Sequence, residues 1–71
     1  MTLTIRYESV GEEKGLVLQN AGDPQFTPSG FIIFREADGR VVMMMPFHRV
    51  VRVEFEDNRI AQVKGIITPV Q

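Results

Sequence analysis

The stretch FIIFREADGRVVMMMPFHRVVRVEF, Phe31 to Phe55, decides the fold. It opens with Phe31-Ile32-Ile33-Phe34, a short run apolar on both faces, as in a strand covered on both sides. The second face needs a cover: a curled sheet, a long loop or a second subunit. Asp38-Gly39 then supplies the turn pair of a hairpin. Arg40 to Met45 is the return strand. Pro46 has no N–H for a ladder, so it ends that strand or marks an edge. From His48 to Asp57 the sequence alternates. Val51, Val53 and Phe55 fall on one face; Val50, Arg52, Glu54 and Glu56 fall on the other.

The same period continues outward. Leu3, Ile5 and Tyr7 alternate with Thr2, Thr4, Arg6 and Glu8, which predicts a half-buried strand over 2–10. "GEEKG" at 11–15 reads as a turn between two glycines, and Leu16 to Gln19 as its partner strand. "NAGDPQFTPSG", 20–30, is the least regular segment, a loop long enough to suggest a role. We expect Phe26 to tuck from it onto the core. Asp57-Asn58 is a further turn. Ile60 to Val63 and Ile66 to Val70 read as short terminal strands, broken at Gly65 and Pro69. No window carries a helical stripe longer than one turn. The expected fold is therefore all-β: a small, strongly bent sheet or barrel of five to seven short, mainly antiparallel strands.

Length and composition narrow the rest. The 71 residues make one domain, 1–71. A chain this small buries only about 60% of its unfolded surface, so a partner subunit is a common staple. Cysteine is absent, which excludes disulfides and thiolate zinc sites. One histidine does not make a histidine-rich metal site. We expect no cofactor and no metal. No apolar run approaches the roughly 20 residues that span a bilayer, and no signal-peptide pattern opens the chain. These features predict a soluble, cytoplasmic protein without a membrane partner. The net charge of −1 exerts no long-range pull on nucleic acid.

Catalytic constellations are thin. His48 is the one imidazole, and neither Ser9 nor Ser29 stands in a nucleophile motif. Glu54 and Glu56 share a strand face about 7 Å apart, but with Arg52 they read as a solvated strand face that makes cross-strand ion pairs. We expect no enzymatic activity. The methionine run is more telling. Met43 and Met45 share one face, and Val42 and Met44 show on the other. Thioethers suit adaptable contact surfaces. With the double-faced strand at Phe31 to Phe34, this predicts a sheet apolar on both sides and a homodimer or higher ring.

The corner Pro46-Phe47-His48-Arg49 has two readings. In one it is architecture: Pro46 stops a strand, Phe47 plugs the core and the chain turns. In the other, the Arg49 guanidinium and the His48 imidazole bind a phosphate, the former bidentately. Arg40 and Arg52 would add lesser contacts.

Met45-Pro46-Phe47-His48-Arg49-Val50 resembles a motif of the small archaeal family predicted to recognise RNA ends carrying a cyclic phosphate. There an aromatic-aliphatic strand and a short turn precede an aliphatic-proline-aromatic-histidine-arginine corner. Phe31 to Phe34 fit that strand. Ile5, Tyr7 and Gly11 are similar to the family's first strand. Ser9 and Val10 stand where its first histidine-arginine pair would be. The resemblance covers about residues 3–57, and its specific part is the four-residue corner. It implies a non-catalytic module binding RNA or another phosphate-bearing ligand, with His48 and Arg49 on the phosphate. The alternative is an oligomerising or protein-binding β module with no nucleic-acid role, which the acidic pI of about 5.7 favours.

Overall fold

The structure, a computed structural model, describes residues 1–63. It is all-β, with seven strands in two antiparallel sheets. The strands are β1 (Leu3–Ser9), β2 (Glu12–Leu18), β3 (Gln25–Phe26), β4 (Phe31–Arg35), β5 (Val41–Pro46), β6 (Val50–Phe55) and β7 (Ile60–Gln62). A single 3-10 turn, Phe47–Arg49, joins β5 to β6. The four-stranded sheet runs β2-β1-β6-β7 and the three-stranded sheet runs β3-β4-β5. The expected strand at Ile66 to Val70 lies outside the described residues.

Alternation builds the core. Leu3 and Ile5 of β1 sit opposite Leu18 and Leu16 of β2 and opposite Phe55 and Val53 of β6. In the other sheet, Ile32 and Phe34 of β4 sit opposite Met45 and Met43 of β5. Leu3, Ile5, Ile32, Phe34, Val50 and Val53 are fully buried in one cluster drawn from both sheets. Residues opposite each other in a ladder share a face, so each sheet gives its apolar side to this cluster. Phe47 packs against it from the corner, as its aromatic character predicts.

Three local expectations need correction. The first hairpin turns at Val10-Gly11, not over 11–15, and "GEEKG" lies largely within β2. Both turn residues have positive φ, +52° and +76°, as a two-residue type I′ hairpin requires. A β-branched residue is strained in that region, so sequence preference hides the turn. Second, Phe26 is 46% exposed instead of core. It forms a tilted ring contact with Phe47, centroids 6.0 Å apart. Third, Val50 does not share the polar face of β6. The β1–β6 register passes from Arg6↔Arg52 to Tyr7↔Val50, leaving Val51 as the extra residue of a bulge. The phase shifts there, and both Val50 and Val53 are buried.

The segment 20–30 is tied down. Gly22 N–H donates to the Arg35 carbonyl at 2.9 Å, and Ala37 N–H to that of Asn20 at 2.9 Å. The Thr27 hydroxyl donates to the Phe31 carbonyl and accepts from the Phe31 N–H.

Candidate functional site

The outer faces of the two sheets differ in chemistry. On the four-stranded sheet, Arg6 of β1 stands directly opposite Arg52 of β6. Both guanidinium groups face Glu54. Arg52 Nε donates to its Oε2 at 2.7 Å, and Arg6 Nε lies 3.6 Å from the same oxygen. Glu13 of β2 adds a longer contact to Arg52, 3.9 Å. The Arg52 hydrogen bond, followed by the charges of Arg52 and Arg6, holds the Glu54 carboxyl below its ordinary range. Gly15 gives the Arg6 guanidinium its room, for a Cβ at Gly15 would stand 2.7 Å from Arg6 Nη1. This face is a solvated ion-pair lattice: Arg6–Glu54 and Arg52–Glu13 pair across strands as expected, and Arg52–Glu54 pairs along β6. Its shallow depression near Thr2, Thr4 and Arg59 has its carboxylates already engaged: Glu56 accepts from the Thr2 N–H.

The three-stranded sheet is apolar outside as well as inside. Phe31 and Ile33 of β4 stand opposite Pro46 and Met44 of β5. Met44 is 57% exposed and Phe31 37%, with Val41 and Val42 beside them. The apolar outer face expected from "FIIF" and the methionine run is therefore present. The polar relief on it is Arg35, whose guanidinium donates to the Gln25 side-chain oxygen at 3.1 Å.

The corner residues sit at one end of β5. His48 and Arg49 are exposed on the 3-10 turn. Arg49 Nε donates to the Glu8 carbonyl at 3.4 Å, which draws the corner against the end of β1. Arg49 has no carboxylate partner among the described residues. The end of β1 near Ser9 and the corner near His48 are thus neighbours, although 41 residues separate Glu8 from Arg49.

The other two expected site residues do not join them. Arg40 precedes β5 at its far end, about 20 Å of strand from His48, and its guanidinium binds Glu36 at 2.6 Å. Arg52 lies on the ion-pair face, occupied by Glu54 and Glu13. Only His48 and Arg49 are brought together.

No protein-family model matches the chain, nor does any curated protein or solved structure. Its own residues therefore carry the functional argument. Among the described residues no group of three His, Asp or Glu side chains is placed to hold a metal ion. No helix there is long and apolar enough to cross a membrane.

Proposed function

We propose that this chain is a non-catalytic self-assembling β module, whose working surface is the three-stranded sheet, where a second copy of itself meets the exposed apolar residues. One observation carries this reading: Phe31, Val41, Val42 and Met44 are exposed side by side on a single sheet. Scattered apolar residues are ordinary on a surface, but a contiguous group marks a contact. The fully buried core is small, so contact with a second copy adds stability that a domain of this size lacks. Sedimentation or light scattering tests the reading. Wild type should have the mass of a dimer or higher ring, and Met44→Asp should be a monomer with unchanged circular dichroism. A wild-type monomer at every concentration overturns it.

A second reading is favoured by the corner. Arg49 is exposed, with no carboxylate partner among the described residues, beside His48 and against the end of β1. These are the two places where the resembling family carries its histidine-arginine pairs. In this reading His48 and Arg49 bind the phosphate of an RNA end or another phosphate-bearing ligand. An NMR titration with a short RNA ending in a 2′,3′-cyclic phosphate tests it. Shifts centred on His48 and Arg49, lost in His48→Ala, support phosphate binding. Flat spectra at low salt sink it.

A further inference from the structure

We infer that the second copy docks edge to edge: β5 pairs with β5 of the other copy, antiparallel, about a two-fold axis passing beside Met44. This rests on the self-assembly reading and names the edge and the register that serve it.

β5 is the end strand of its sheet, and no described strand lies on its far side. An end strand presents a row of unpaired N–H and C=O groups, which natural proteins blunt with charge, proline or a covering element. Val41–Pro46, "VVMMMP", carries no charged residue, and Pro46 stands only at its end. A strand of this kind is a template for another strand.

Symmetry then limits the register. An antiparallel pair of identical strands requires a two-fold axis perpendicular to the sheet, so outer face continues into outer face. Residues opposite each other share a face. Met44 opposite Met44 of the second copy satisfies both conditions near the middle of the strand. It joins the two exposed apolar faces into one.

Charge complementarity favours the same arrangement. The loop before β5 carries Asp38, whose carboxylate accepts the Arg40 backbone N–H at 2.9 Å and forms no ion pair among the described residues. The turn after β5 carries Arg49, which likewise has no carboxylate partner among the described residues. Opposite charges thus sit at opposite ends of one edge strand. Antiparallel pairing sets the Asp38 loop of each copy beside the Arg49 turn of the other, and symmetry makes the contact twice. In a continuous sheet these ends would otherwise meet as empty rims. The corner with the only histidine then becomes part of a subunit contact.

The absence of cysteine makes the test clean. Met44→Cys introduces a single thiol. Residues facing each other in antiparallel strands have Cα atoms roughly 4.5 or 5.5 Å apart, within the range a disulfide spans. Mild oxidation should convert most of this variant to a covalent dimer. Val17→Cys, exposed on the other sheet, should stay unlinked under the same conditions. Asp38→Arg and Arg49→Asp should each weaken dimerisation by about fivefold, and the double variant should recover it. An oligomer whose Met44→Cys thiol stays free overturns edge pairing and leaves self-assembly standing. A double variant no tighter than the single ones overturns the charge contact. A wild-type monomer overturns both the edge and the reading beneath it.

Discussion

Val50 and Val53 lie three residues apart on one strand, and both are fully buried in the same core. Strict alternation forbids this, because three steps along a strand reverse the face. The bulge at Val51 restores it. The bulge also adds local twist where the 3-10 turn hands the chain from one sheet to the other, so it helps to aim the His48–Arg49 corner.

A threonine scan separates the bulged strand from a regular one. Val50→Thr buries a hydroxyl at a closed site and should cost about 1–3 kcal/mol. Val51→Thr, half-buried, should cost less than about 1 kcal/mol. Urea unfolding of the two variants measures the difference. The reverse order would mean that the strand alternates as its sequence reads.

The tip of the first hairpin is a removable strain. Val10 is 97% exposed with a φ of +52°. Its side chain gains nothing there and disfavours the backbone it must adopt. Val10→Asn gives the Asn-Gly pair that type I′ turns prefer and should stabilise the fold by about 1 kcal/mol. Thermal melting checks this; an unchanged or lower midpoint contradicts it.

Much of the fold is legible in the residues. Leu3-x-Ile5, Asp38-Gly39, Asp57-Asn58 and Pro46 each lead to the element observed, because period and turn chemistry act locally. The misses share a cause. Val10 turns the chain against its own preference. Val50 is buried by a bulge that depends on pairing with β1. Phe26 stays partly outside the core and meets the ring of Phe47, a contact distant in sequence. Of the expected site residues, His48 and Arg49 are adjacent in the chain and stay together. Arg40 and Arg52 depended on strand direction and on which face the ion pairs occupy, and neither is written in spacing.

The Glu54 lattice has a pH signature. Its folded carboxyl is held below the ordinary value of 4.5, first by the Arg52 hydrogen bond. The stabilisation is therefore complete above that value and is lost as pH falls through the lowered folded one. Arg52→Gln removes the leading cause, so the Glu54 titration midpoint, followed by carboxyl carbon NMR, should move upward. An unmoved midpoint would assign the depression to another group.

Salt distinguishes the two functional readings without mutation. Phosphate binding at His48 and Arg49 should weaken steeply as salt rises. Subunit packing at Met44 should persist, because apolar burial is not screened. A titration of oligomer mass and of RNA affinity from low to high salt records both. Loss of the oligomer at moderate salt would make its interface chiefly ionic.

The most direct test is amide hydrogen exchange across β5 at low and high protein concentration. In an end strand alternate amides face outward, unpaired. If β5 pairs with its copy, the outward amides between Val41 and Met45 should exchange fast in dilute solution and become protected as concentration rises, while Leu3, Ile5 and Val53 stay unchanged. Exchange in β5 that is fast at every concentration would contradict the account.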